Sequence, residues 1–100
     1  MEKKKPHYSL AQIKASFDTV RRLRITRTAL QCAEGLGVTL EGIVSIIQSM
    51  SRGQFFRSMT SVANATVWQD VYHVPFGGSV LYVKLTTDAA GYLVISFKEK

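Results

Sequence analysis

Arg57, Tyr82, Lys84 and Lys98 fall in three segments that read as β-strands. Side chains of a strand alternate between the two faces of its sheet. Arg57 in QFFRSMTS, Tyr82 and Lys84 in SVLYVKLTT and Lys98 in GYLVISFK can therefore share one face. Such a face carries positive charge and an aromatic hydroxyl, a combination suited to a phosphate backbone and unstacked bases. The stretch TVWQDVYHV, Thr66 to Val74, raises a further question. It is the best strand of the chain, yet Gln69 and Asp70 stand in its middle. The same-face neighbours of Gln69 are Val67 and Val71, so parity leaves open whether Gln69 joins the basic face or packs.

Other chemistries find less support. Gly77-Gly78 is a hairpin signal and lacks the spacing of a phosphate-binding glycine loop. With one cysteine, and with His7 and His73 far apart, no metal set is legible, and no cofactor is expected. No Ser-His-Asp or Cys-His arrangement can be read. Asp70, Asp88 and Glu99 are too scattered to suggest two-carboxylate catalysis.

The elements that must position the basic face follow from pattern. Ser9 caps a helix through LAQIKASFDTV, with Leu10, Ile13, Phe17 and Val20 at helical spacing. RRLRI breaks that period and reads as a short strand or a loop. Thr26 or Thr28 caps a second helix, which carries Ala29, Leu30, Ala33 and Leu36 and stops at Gly35 and Gly37. Thr39 opens a third, with Leu40, Ile43, Ile46, Ile47 and Met50 on one face. Four β-rich segments follow, separated by turns at Asn64, at PFGGS and at DAAG. The expected fold class is α+β, with three N-terminal helices packed on a C-terminal antiparallel sheet of about four strands.

One hundred residues, 46% of them apolar, make one globular domain spanning 1–100. No apolar run is long enough to cross a bilayer, and the N-terminus lacks the apolar core of a signal peptide. Cys32 reads as a buried small hydrophobe, and a reducing, cytoplasmic home fits. The net charge of +6 suggests an anionic partner, with solubility alone as the bland reading. Lys3, Lys4 and Lys5 read as a solvated terminus. Arg21, Arg22, Arg24 and Arg27 can follow RNA phosphates or meet an acidic protein segment.

Several motifs together resemble one family. They are the opening MEKKKPH, TRTAL in the second helix, F-x-x-SMT at Phe55 to Thr60, VWQDVY at Val67 to Tyr72 and the terminal VISFKEK. In this order they resemble the MqsR toxins, and the resemblance runs from Met1 to Lys100. It implies a RelE-like fold and a bacterial, cytoplasmic endoribonuclease. Such an enzyme cuts messenger RNA at GC-containing sites such as GCU, without the ribosome and without metal. It also implies a partner, an MqsA-type antitoxin with a zinc-binding N-terminal domain and a helix-turn-helix C-terminal domain. Operator DNA would be met only through that antitoxin.

The resemblance places the active-site glutamine at Gln69 in WQDVY and the tyrosine at Tyr82 in LYVKL. The family's lysine falls in F-x-x-SMT, where this chain has Arg57. Arginine keeps the charge but stays protonated, so Arg57 is expected to clamp phosphate oxygens and not to move a proton. Tyr82 would donate to the leaving oxygen or orient the 2′-hydroxyl. Gln69 would hydrogen-bond a phosphate, a 2′-hydroxyl or a base edge. Lys84, Lys98 and Arg24 are the expected backbone contacts. The sequence shows no well-placed histidine, which suits a slow toxin. Two alternatives remain: a catalytically weakened toxin that works as an antitoxin-binding transcriptional co-regulator, and a non-catalytic RNA-binding module.

Overall fold

The computed structural model describes residues 1–61, 64 and 66–100. Among them are three α-helices and five strands: β1 (Glu2–Lys3), α1 (Leu10–Ser16), α2 (Arg27–Gly35), α3 (Leu40–Ser49), β2 (Phe55–Thr60), β3 (Trp68–Phe76), β4 (Ser79–Thr87) and β5 (Leu93–Glu99). Short 3-10 turns occupy Val20–Arg22 and Arg52–Gln54. The strands form one antiparallel sheet in the order β1-β2-β3-β4-β5. The sheet therefore has one strand more than the sequence pattern gives. β1 spans only two residues, too few for alternation to register, and it exists because β2 offers it an edge: Glu2 pairs with Met59 and Lys3 with Ser58.

All three helix starts follow their caps. The Ser9, Thr26 and Thr39 side chains accept from the backbone N–H groups of Gln12, Ala29 and Gly42. The first helix is shorter than the pattern Leu10 to Val20 predicts. Gln48 of α3 donates through Nε2 to the carbonyls of Lys14 at 2.8 Å and Phe17 at 3.2 Å. These carbonyl groups are thus satisfied from outside the helix, and the chain turns into the 3-10 segment at Val20. RRLRI is neither a strand nor a plain loop. It leaves that turn and lays Ile25 parallel to Ile95, on the outer edge of β5. Gly37, at φ +72°, ends α2 in a conformation that a side chain would strain.

One cluster forms the core. It joins Ile13 and Phe17 of the first helical segment, Ala29 and Ala33 of α2, and Ile43 and Ile47 of α3 to one face of the sheet. That face contributes Tyr72, Val74, Leu81, Val83, Leu85, Ile95 and Phe97. Cys32 is only half-buried at the margin of this cluster, because α2 turns Ala29 and Ala33 inward in its place. No single helix is long and apolar enough to cross a membrane. Pro75 is tolerated in β3 because β2 pairs no further along β3 than Tyr72, and only β4 pairs beyond it. Gly77, at φ +57°, closes the β3–β4 hairpin.

Candidate active site on the open sheet face

The face of the sheet turned away from the core carries the residues singled out above. Cross-strand register arranges them in rows. Val71 pairs with Arg57 on one side and Lys84 on the other, and Lys84 pairs with Ser96. The next row joins His73, Tyr82 and Lys98. Phe56, Arg57, Met59, Val71, Tyr82, Lys84 and Lys98 line a depression of about 240 Å³. A second hollow of about 280 Å³ shares Tyr82, Lys84 and Lys98 and is closed by Thr26, Thr28 and Ser96. Thr26 is held there by a 2.7 Å hydrogen bond from its hydroxyl to that of Ser96.

A bulge in β2 shapes the rim. Phe55 pairs with Tyr72 and Arg57 with Val71, so two steps on β2 match one on β3. Strict alternation puts Phe56 opposite to Arg57. The bulge instead brings Phe56 to the open face, where its ring stacks on His73 at 4.3 Å. The Arg57 guanidinium lies 5.0 Å from the Phe56 ring and 3.6 Å from the Glu2 carboxylate. Both members of that ion pair are substantially exposed, so it holds Arg57 only weakly. Arg57 Nε is buried and has no acceptor. Among the described residues, neither Lys84 nor Lys98 has an ion-pair partner.

His73 is the residue that the sequence pattern missed. Its ring packs edge-on to Tyr82 at 4.7 Å and stacks on Phe56, and its Nε2 is buried without a hydrogen-bond partner. Burial lowers its pKa below the ordinary 6.5, and the charges of Lys100 and Arg57 lower it further. The signal was its parity with Gln69 and Val71. Cross-strand pairing, which sequence does not give, puts His73 beside Tyr82, where the sequence pattern showed no histidine near the candidate residues.

Gln69 does lie on this face, opposite Met59 and two residues from Val71. It is four residues from His73, the partner of Tyr82. At about 3.3 Å per residue this is roughly 13 Å along the strand, so Gln69 stands two rows from Tyr82. Arg24 lies elsewhere. It stacks on Tyr92 at 4.2 Å and lines a separate basic hollow of about 320 Å³ with Arg21 and Arg22. The structure thus brings Arg57, Tyr82, Lys84 and Lys98 together, sets Gln69 one row from Arg57 and Lys84 and two rows from Tyr82 and Lys98, and leaves Arg24 beyond the edge of β5.

Asp70 and Tyr72 point the other way. Tyr72 is a fully buried core residue. Its phenol is pushed above its ordinary 10.0 by burial and by Asp70, and Arg52 opposes the shift. Asp70 is also fully buried and accepts from Ser58, His7 and Tyr8. The N-terminal lysines are not a uniformly solvated tail. Lys3 is drawn over the Trp68 ring at 4.3 Å and contacts His7.

Two comparisons relate the chain to known proteins. The model of a family described as "Motility quorum-sensing regulator, toxin of MqsA" matches residues 5–99. The chain is also 38% identical over 100 residues to the mRNA interferase toxin MqsR of Escherichia coli (strain K12), covering all of both chains.

Proposed function

The chain belongs to the MqsR toxin family, and from that premise we propose that it is a sequence-selective endoribonuclease, the toxin of a type II toxin–antitoxin pair. The observation that carries this reading is the depression on the open face, where Arg57, Tyr82, Lys84 and Lys98 meet. Positive charge, an aromatic hydroxyl and a half-exposed aromatic ring suit single-stranded RNA. In this reading residues 1–100 act as one RelE-like domain in the bacterial cytoplasm. The enzyme cuts messenger RNA at GC-containing sites such as GCU, independently of the ribosome and of metal. An MqsA-type antitoxin holds it inactive and supplies the only contact with operator DNA.

The substrate provides the nucleophile. Its 2′-hydroxyl attacks the adjacent phosphorus and the 5′-oxygen leaves, giving a cyclic phosphate. The protein must hold the atoms in line and neutralise the phosphorane. Arg57 is placed for the second task. Its unmet Nε–H and planar fork match two phosphate oxygens. Lys84 and Lys98 add charge around the same depression, and Tyr82 can donate its phenolic proton to the departing oxygen. Gln69, one row from Arg57 and two from Tyr82, suits a neighbouring nucleotide better than the reacting phosphate.

A second reading has one observation in its favour. Arg57 cannot take up a proton and is already drawn toward Glu2, as expected of a weakened toxin that acts through its antitoxin. Incubating purified protein with a long synthetic RNA in EDTA separates the two. Discrete cuts at GC-containing sites are expected from the wild type. Tyr82→Phe should cleave at least tenfold more slowly and bind an MqsA-type antitoxin as well as the wild type. Equal rates would remove Tyr82 from the chemistry, and intact RNA in every sample would favour the binding role.

A further inference from the structure

We propose that His73 is the proton-transfer residue of the open face, taking the proton from the attacking 2′-hydroxyl; this inference rests on the ribonuclease reading above.

The argument starts from what the face lacks without it. Arg57, Lys84, Lys98 and Lys100 are cations, donors with no acceptor site for a proton. Tyr82 offers a phenolic hydroxyl, a donor and only a weak acceptor of protons, and Gln69 offers a neutral amide. Glu2 reaches Arg57 from β1, and the strands β2 and β3 stand between it and Tyr82 of β4. Among the described residues of this face, only His73 changes charge near neutral pH by nature. A metal-free cleavage in which the 2′-hydroxyl attacks gains about 10²–10⁴-fold from such a group.

Geometry then favours His73 specifically. It shares the cross-strand row of Tyr82 and Lys98, and its register neighbour Val71 is flanked by Arg57 and Lys84. Phe56 against one ring face and Tyr82 against its edge fix the orientation of the imidazole. Its Nε2 is a buried polar atom with no partner, an arrangement that costs stability and calls for an explanation. Because Nε2 is sealed in the free protein, a nucleotide seated against Tyr82 supplies the missing donor through its 2′-hydroxyl only once the packing of Phe56 on the ring opens. The groups facing His73 are Arg57 from β2, Tyr82 and Lys84 from β4, Lys98 and the following Lys100 from the β5 side, and Glu2 from β1. Their balance is positive, and the imidazole is already half-buried, so the neutral form prevails. That form is the one able to accept a proton.

The step closes without a co-reactant. The 2′-O–H bond breaks and its proton passes to His73. The oxygen pair forms the bond to phosphorus. The P–O5′ bond breaks with its electrons on the 5′-oxygen, which takes the Tyr82 proton. Proton return from the imidazolium to the phenolate, through solvent, restores both groups.

The test measures single-turnover cleavage of a GC-containing RNA oligonucleotide from pH 5 to 9, with His73→Gln compared to wild type and His73→Asn held as a second variant in case the first melts early. Binding of the same RNA with a 2′-deoxy sugar at the cut is measured in parallel. Wild-type rate should rise along a limb centred below pH 6.5 and then level off. His73→Gln should be at least tenfold slower at pH 7.5 and lose the limb, with binding of the 2′-deoxy RNA unchanged. A variant as fast as wild type, or a slower one with the same limb, overturns the inference while leaving the ribonuclease reading in place. Intact RNA with wild type at every pH overturns both.

Discussion

Replacing Asp70 by alanine is expected to lower the melting temperature by roughly 15 °C or more, the largest stability loss of any single change outside the apolar core. The carboxylate is fully buried and accepts three hydrogen bonds: from the Ser58 hydroxyl at 2.6 Å, the Tyr8 N–H at 2.9 Å and the His7 N–H at 3.1 Å. Alanine strands all three donors, at about 1–3 kcal/mol for each unsatisfied group that stays buried. A net loss of about 3–5 kcal/mol follows, and a domain of this size loses about 4–8 °C per kcal/mol. The damage should be local first. His7 and Tyr8 join β1 to α1, and the Tyr8 hydroxyl also reaches the Trp68 carbonyl at 2.7 Å. Releasing them frees β1 and bares the edge of β2. Circular dichroism melts, with hydrogen exchange at β1 and β2, check this. Asp70→Asn keeps one acceptor oxygen and should lose about half as much. Because Asp70 faces the helices, RNA cleavage per folded molecule should be preserved. A melt within a few degrees of wild type would show that the N-terminal segment is held by other contacts.

Asp70 also shows where the sequence was readable. The strand TVWQDVYHV was recognisable by alternation, and its polar pair was recognisable as unusual. What separated the two residues was pairing with chain more than 60 residues away, which local pattern does not encode. Gln69 faces the open side and Asp70 the helix side, so the pair serves two purposes. The caps Ser9, Thr26 and Thr39 were legible because capping is local. The early end of α1 was not, since Gln48 comes from another helix.

The candidate site divides along the same line. Arg57, Tyr82, Lys84 and Lys98 were grouped by parity alone, and the sheet does place them around one depression. Phe56 escaped because a bulge suspends parity for one residue. His73 escaped because its neighbours are set by strand register, which a lone histidine in a sequence does not reveal. Arg24 was grouped with the RNA-binding residues by charge, yet the chain folds it against Tyr92 in a separate hollow.

The largest catalytic effect is expected at Arg57. Arg57→Ala should lower the cleavage rate by about 10²–10³-fold, the loss that follows removal of one donor preorganised for developing charge. Its Nε–H has no acceptor in the free protein, and its exposed contact with Glu2 is easily exchanged for phosphate. Both features leave the fork ready for the phosphorane. Substrate affinity should fall less than rate, because phosphate charge is also met by Lys84 and Lys98. Arg57→Lys distinguishes two roles for this position. If the fork clamps two oxygens, a point charge serves less well and the rate falls by roughly tenfold. If the position instead needs a group that can shed a proton, lysine cleaves faster than arginine, and the wild type is a disarmed toxin whose work is binding. Single-turnover rates of the three proteins on one GC-containing RNA decide between them. The His73 inference favours the first outcome, since a base already stands in the adjacent row and Arg57 needs to supply only charge.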